Sequence, residues 1–448
     1  MRDPIARRAG ARTAEQRGWY WYDWANSAFV TTVVTVFGGR YLTKLAKAAA
    51  DSNGYVHPIG VHVRAGSLYP YLISLSALFQ VLLMPIVGAV ADRTGRRRRL
   101  LALTAFLGAA STVAFGMVSG SAYALGGLFF LVASVAFACS IVVYNAFLPD
   151  IAGPGERDRV SSRGWGFGYL GGGLLLFANL VLYQSAEAGS LPFTPGAAAQ
   201  ISIVSAGLWW ALFTLVPLAV LRDRPATAPP AGPTLTAGFR QLRTTLAQLR
   251  LAPMTLLFLA AYLLYNEGVQ TVINQASVFA GEELRLLDTT IITAVLLVQF
   301  VAMAGAWLLG LLAGRFGAKR VVLASLVVWT AALTYAWFVP SGAPGQFYLL
   351  AALVGLVLGG TQALSRSLFS HMTRDGRQAE YFSFYEIADQ GTSWLGSALF
   401  GLAFQFTGSY RFAIVSLLVF FVAGFVLLAR TDVRRAAAEA GNAAPARL

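Results

Sequence analysis

Trp19-Tyr20-Trp21-Tyr22-Asp23-Trp24-Ala25-Asn26-Ser27-Ala28-Phe29 runs directly into an apolar stretch from Val30 to Phe37. Asp23 and Asn26 are therefore carried into a hydrophobic helix. Asp23, Asn26 and Ser27 stand at i, i+3 and i+4, which is one face of that helix. A carboxylate at mid-membrane costs about 2.5–3.5 kcal/mol on insertion scales, so a chain that keeps one there has a reason to do so. The stretch predicts a first membrane span whose polar face turns toward an internal aqueous path. Asp23 lies nearer the N-terminal end of the span, where a gate or helix-capping role suits it equally.

The remainder of the chain agrees with a membrane solvent. Of its 448 residues 57% are hydrophobic, 12% are charged and 45 are glycine, with a mean hydropathy of +0.62. Soluble domains carry about 25% charged residues. The formal charge of +14 invites a nucleic-acid reading, but the basic residues sit in short loops between apolar segments, not on one face of a polar domain, so no nucleic-acid partner is expected. The single cysteine, Cys139, lies in an apolar run, which excludes an intrachain disulfide. The arginine-rich N-terminus lacks the h-region of a cleaved signal peptide, so the first span is expected to stay uncleaved.

A hydrocarbon core of about 30 Å needs roughly 20 apolar residues per helix. Twelve stretches qualify: 19–41, 67–91, 99–119, 122–148, 163–184 and 201–221, then 254–280, 288–313, 319–340, 346–371, 381–406 and 410–430. The sequence thus predicts an all-α polytopic membrane protein of twelve transmembrane helices in two six-helix bundles. Its expected divisions are a tail (1–18), a first bundle (19–221), a proline- and arginine-rich linker (222–253), a second bundle (254–430) and a second tail (431–448). Of 34 Lys and Arg, 27 fall on the side of the termini, six on the other, and Arg366 lies within a span. The positive-inside rule then places both termini in the cytoplasm, and a plasma (inner) membrane is the expected location.

The two bundles carry a repeat. Gly88-Ala89-Val90-Ala91-Asp92-Arg93-Thr94-Gly95-Arg96-Arg97 follows the second span, and Gly310-Leu311-Leu312-Ala313-Gly314-Arg315-Phe316-Gly317-Ala318-Lys319 follows the eighth. The shared offset of 222 residues is about half the chain, as two bundles of one design require. The first copy resembles the signature loop of the major facilitator superfamily, although any basic loop obeying positive-inside would share part of it. That resemblance implies a cytoplasmic gate: Asp92 meets the start of the eleventh span, with Gly88, Arg93, Gly95, Arg96 and Arg97 around it. Gly314 replaces the acid in the second copy, so a latch there is weaker or absent.

Polar residues recur inside the apolar spans. The seventh carries Glu267, Gln270, Thr271 and Asn274 on one stripe, the fourth Tyr144 and Asn145, the tenth Gln362 and Arg366 at i and i+4, and the eleventh Glu386, Asp389, Gln390 and Ser393. Such stripes either hold helices together, at about 0.6 kcal/mol per contact, or line a pathway. Tyr22, Asn26, Asn145, Gln270, Asn274, Gln362, Arg366 and Trp394 are candidate substrate contacts. Asp23 and Glu267 are candidate proton-coupling groups, because a buried carboxyl with a raised pKa can carry a proton through a transport cycle. Glu386 and Asp389 are added to the gate. Arg366 suits a substrate carboxylate through its planar fork and suits a structural pair with one of the acids equally well. Gly164, Gly168 and Gly172 in the fifth span, and Gly355 and Gly359 in the tenth, form close-packing faces that serve bundle rocking or static packing alike.

Several motifs are more specific. Tyr22 to Phe29, Tyr144-Asn145-Ala146-Phe147-Leu148-Pro149-Asp150 and Ser161-Ser162-Arg163-Gly164-Trp165-Gly166-Phe167-Gly168-Tyr169 lie in the first half. Tyr265-Asn266-Glu267-Gly268-Val269-Gln270-Thr271, Gly360-Thr361-Gln362-Ala363-Leu364-Ser365-Arg366-Ser367 and Phe384-Tyr385-Glu386-Ile387-Ala388-Asp389-Gln390-Gly391-Thr392-Ser393-Trp394 lie in the second. Together they resemble the vacuole-effluxer (autophagy-related, amino-acid effluxer-like) branch across the whole membrane region. One departure is Glu267, where that branch is expected to carry aspartate. The resemblance implies a secondary transporter of a small polar solute, such as an amino acid, working by alternating access with protons. An exporter of amphipathic compounds, with Trp24, Trp165 and Trp394 lining its cavity, is the alternative.

An enzyme is not expected, and neither a catalytic nor a metal site is read. Of three histidines, His57 and His62 lie in an outer loop without a third ligand nearby and His371 ends a helix. Gly171-Gly172-Gly173 lies in a span and lacks the Lys-Ser/Thr of a nucleotide loop, so no cofactor is expected. The expected partners are the solute, protons and the lipid bilayer, with the chain acting as a monomer.

Overall fold

The first span is the element that departs most from its expected bounds. In a computed structural model that describes residues 4–224, 247, 250–390 and 394–442, it is α-helical from Pro4 to Ala28, π-helical from Phe29 to Phe37 and α-helical again from Gly38 to Ala49. The π segment coincides with the β-branched run Val30 to Val36, whose side chains crowd the preceding turn of an α-helix. The wider turn sends the Gly38 N–H to the Val33 carbonyl, and the Thr35 hydroxyl donates to the Val30 carbonyl at 2.9 Å. Residues 13–18, expected in a tail, are helical, and Glu15 is buried against Arg224 at 2.9 Å while also accepting from the Arg222 N–H.

Ten helices among the described residues are long and apolar enough to cross a membrane. They match the second to tenth and the twelfth expected spans. The first is excluded by its tryptophans, tyrosines and polar motif, which lower its hydropathy. Of the eleventh, Gln378–Gln390 and Trp394–Thr407 are described as helix, residues 391–393 between them lie outside the described residues, and neither piece alone is long enough. Helix Arg157–Glu187 begins six residues before the expected fifth span and helix Pro195–Val220 six before the sixth. Most of the 222–253 linker and the end of the 431–448 tail lie outside the described residues.

Contacts divide the chain into two compact units. One comprises Met1–Met84, Arg96–Tyr144 and Leu170–Arg224; the other comprises Pro85–Gly95, Asn145–Tyr169 and Pro225–Leu448. Within the first, helices Arg97–Met117 and Pro195–Val220 approach through glycine: the Trp210 ring fills the space above Gly108, and a Cβ on Gly207 would stand 2.8 Å from the Ala109 carbonyl oxygen. Trp21 and Trp24 stack on Phe213 and Trp209 respectively, and the Trp209 indole donates to the Trp24 carbonyl at 3.2 Å.

Within the second unit, helix Asp288–Phe316 lies on Pro344–Ser370 through Gly305, Gly355 and Gly359, each against a backbone carbonyl of its neighbour. Helix Pro253–Val278 meets Leu418–Arg430 where Gly268 faces Phe421 and Gly424 faces Tyr265. These glycines set helix spacing. Gly207→Val is therefore expected to lower stability by about 1–3 kcal/mol, because the carbonyl it meets is backbone and cannot yield. Thermal unfolding in detergent measures this against Gly401→Ala, whose new Cβ meets nothing within 4 Å.

Candidate functional site

Arg366 is the centre of a buried polar cluster in the second unit. It sits in helix Pro344–Ser370 and is only 3% exposed. Its Nε donates to Ser161 Oγ at 2.9 Å, Nη2 to the Ser161 carbonyl at 3.0 Å and Nη1 to Asn145 Oδ1 at 3.3 Å. The guanidinium also lies over the Trp165 ring, 5.3 Å from its centroid. Asn145 turns its other amide atom to Glu386, donating from Nδ2 to Oε1 at 2.7 Å. Nearby, Tyr169 donates to Gln362 at 2.7 Å and the Ser161 hydroxyl donates to the Ala363 carbonyl at 2.7 Å. The expected residues Asn145, Gln362, Arg366 and Glu386 thus come together, joined by Ser161, Trp165 and Tyr169. Those three belong to a motif whose glycines alone carried the packing argument.

Glu267 is 2% exposed and accepts from the Gly396 N–H at 2.8 Å. Gly396 lies in helix Trp394–Thr407, so this bond joins the Glu267 carboxyl to the backbone of a neighbouring helix. Asp389 is tied to the same partner helix: Tyr262 and Asn266 of Pro253–Val278 both donate to its Oδ1, Asn266 at 2.9 Å. Gln270 is half-buried and Asn274 exposed on that helix. The side chain of Trp394 lies outside the described residues.

The repeated loop takes the expected turn twice. Gly95 (φ +61°) and Gly317 (φ +91°) end the second and eighth spans in a backbone conformation that side chains disfavour. Asp92 is buried, and its two carboxylate oxygens accept from the Ala379 and Glu380 N–H groups at 3.1 and 2.8 Å. These open helix Gln378–Gln390, so the acid caps its N-terminus, where negative charge is favoured. Gly88 is pressed against the Ala379 carbonyl, leaving 2.6 Å for a Cβ. Arg93 is half-buried, Arg96 precedes helix Arg97–Met117, and Arg97 is buried at its start.

Tyr22, Asp23 and Asn26 belong to the first unit. Tyr22 is fully buried with its ring 4.9 Å from that of Tyr144, which Trp19 stacks against at 4.4 Å. Asp23 is buried, and the Asn26 side-chain NH2 is buried without a partner among the described residues. In the outer loop, His57 Nε2 lies 3.2 Å from Asp51 Oδ2, with the His62 ring 4.6 Å away.

Sequence reasoning missed a second cluster at the C-terminal end of the tenth span. Arg157 donates to the Ser370 carbonyl at 2.7 Å and lies 3.3 Å from His371 Nδ1, while Ser367 donates to Asp158 at 2.6 Å. Asn442 donates to the carbonyls of His371 and Thr373, pinning the C-terminal segment there.

The comparisons with known proteins bear on both units. The family model described as "Vacuole effluxer Atg22 like" matches residues 11–441. The chain is 31% identical over 419 residues to the uncharacterized MFS-type transporter YxiO of Bacillus subtilis, covering 93% of this chain and 94% of that one. It is 27% identical over 472 residues to autophagy-related protein 22 of Kluyveromyces lactis, covering 95% and 94%. Among solved structures it resembles a bacterial homologue of the iron transporter ferroportin, with a TM-score of 0.66 at 14% identity over 94% of this chain and 98% of that one. It likewise resembles the proton:xylose symporter XylE, with a TM-score of 0.66 at 13% identity over 93% and 94%. At such identities these two neighbours speak for the fold, that of the major facilitator superfamily.

Proposed function

We infer that this chain, which belongs to the Atg22-like vacuole effluxer family of multi-pass membrane transporters, moves amino acids across its membrane by alternating access coupled to protons. The observation that carries the reading is the chain Arg366–Asn145–Glu386, buried among largely apolar helices. Ionisable groups held inside a membrane protein accompany a pathway more often than they accompany packing alone. The donors of Arg366 already meet protein acceptors, which supports a role as a strut that positions Asn145 and Glu386. Gln270 and Asn274, on one helix of the second unit, are left as the substrate contacts of that unit.

Glu267 is the coupling group in this scheme. Its bond to Gly396 ties the charge of one side chain to the placement of the Trp394–Thr407 helix, so a proton arriving there changes how firmly that helix is held. Asp92 on the start of Gln378–Gln390 is the cytoplasmic latch. The 27-to-six distribution of Lys and Arg supports cytoplasmic termini.

Uptake by purified protein in liposomes, across labelled amino acids and with or without a pH gradient, tests the reading. Amino-acid counterflow and gradient-driven accumulation are expected. Movement of amphipathic dyes without amino acids would replace this substrate class. Glu267→Gln is expected to retain counterflow yet lose accumulation by at least roughly tenfold, and undiminished accumulation would remove Glu267 from the coupling role.

A further inference from the structure

The first span does not stop at the far side of the hydrocarbon. Its helical run reaches Ala49, and at about 1.5 Å per residue the stretch from Trp19 to Gly39 already spans about 30 Å, the core thickness. Arg40, Lys44 and Lys47 follow at i, i+4 and i+7, which is one face of the helix. They line an open cavity of about 640 Å³ together with Thr43 and Tyr69. Gly39 lies against the Tyr69 ring, leaving 2.8 Å for a Cβ, and Tyr69 is fixed by its bond to the Val34 carbonyl at 2.7 Å. The cavity wall is thus built, with an aromatic of the kind that sits at a membrane interface.

Three features make the charge unusual. The side of the membrane opposite the termini holds only six Lys and Arg, and three of them are here. No acid lines the cavity, and none of the three side chains has a hydrogen-bond or ion-pair partner among the described residues. Like charges at i and i+4 repel along a helix, and no neighbouring carboxylate offsets that repulsion. Lys44 also reaches over Gly196 at the start of helix Pro195–Val220, leaving 2.5 Å between its Nζ and a Cβ there.

We propose that this cavity binds a phosphate-bearing anion at the membrane surface, either a phospholipid headgroup or a free organic phosphate of similar size. Lysine binds phosphate as a point charge and arginine as a fork, and the volume exceeds that of a bare ion and falls in the range of small-molecule pockets, roomy enough for a headgroup. The proposal stands on the first unit alone and does not depend on what the protein transports.

Binding to the purified full-length protein in a neutral detergent tests it, by titration with short-chain phosphatidylglycerol, short-chain phosphatidylcholine and sn-glycerol 3-phosphate. Phosphatidylglycerol is expected to bind at least about tenfold more tightly than phosphatidylcholine, with affinity falling as salt rises. Removing each cation should weaken it roughly fivefold, so Arg40→Gln/Lys44→Gln/Lys47→Gln loses on the order of 100-fold. The single variants Lys44→Gln and Lys47→Gln serve if the triple variant does not fold. Arg285→Gln, an exposed cation of the other unit, should change nothing. Competition by glycerol 3-phosphate identifies a free phosphate as the occupant, and binding of phosphatidylglycerol alone identifies a lipid. Equal affinity for the two lipids with no binding of glycerol 3-phosphate, or undiminished binding by the variants, overturns the proposal.

Discussion

Arg366→Lys is expected to lower stability and transport together while leaving the substrate KM of the residual activity unchanged. Lysine keeps the charge but offers one donor centre where arginine serves Ser161 Oγ, the Ser161 carbonyl and Asn145 Oδ1 at once, and it forfeits the stack on Trp165. Arg366→Ala goes further. It takes a cation from beside the Glu386 carboxyl, which is reached through Asn145, and breaking a buried charged arrangement costs about 3–5 kcal/mol. Thermal unfolding with initial rates of counterflow separates the two roles that the sequence allowed this residue. A strut loses stability in both variants. A fork for the substrate carboxylate leaves Arg366→Lys about as stable as the parent and raises KM by at least roughly tenfold.

The contrast between those roles shows where the sequence was legible. Arg366, Glu386 and Asn145 each stand out because a polar residue inside an apolar span needs a reason. Their union does not, since the guanidinium and its amide partner are 221 positions apart and no local spacing encodes that. Ser161 and Tyr169 were hidden for a different reason: their motif is dominated by glycine, and a serine or tyrosine beside glycines reads as packing until its partner is seen. The destination of Asp92 came from the resemblance of its loop to the major facilitator signature, not from any local spacing, since its N–H partners lie 287 and 288 positions away. Ten spans were plain from unbroken apolar runs. The first was legible only through its motif, because tryptophan and tyrosine count little toward hydropathy although Trp19, Tyr22 and Phe29 are buried. Its π-helical stretch leaves one trace in the sequence, the β-branched run. Glu267 was legible as a buried acid but not as the partner of the Gly396 backbone N–H, which lies 129 positions away.

Asp92→Asn is expected to shift the protein toward a state in which the start of helix Gln378–Gln390 is released. Aspartate meets two N–H donors with two acceptor oxygens, Oδ1 to Ala379 and Oδ2 to Glu380. Asparagine keeps one acceptor and turns an NH2 toward the other donor, and it removes the negative charge from the helix N-terminus. The combined loss is about 1–2 kcal/mol, which moves a two-state equilibrium roughly tenfold. Ser383→Cys, buried in that helix, reports the shift in a Cys139→Ser background through its rate of labelling by a maleimide. Labelling should quicken by about tenfold when Asp92→Asn is added. Asp92→Ala should match or exceed it, since no acceptor remains. The second copy of the loop supplies the control: a Cβ on Gly314 meets nothing within 4 Å, so Gly314→Ala should leave the rate unchanged. Equal rates for Asp92→Asn and its parent would mean that the capped helix is held by its other contacts, and that the acid in the first loop stabilises the fold without controlling access.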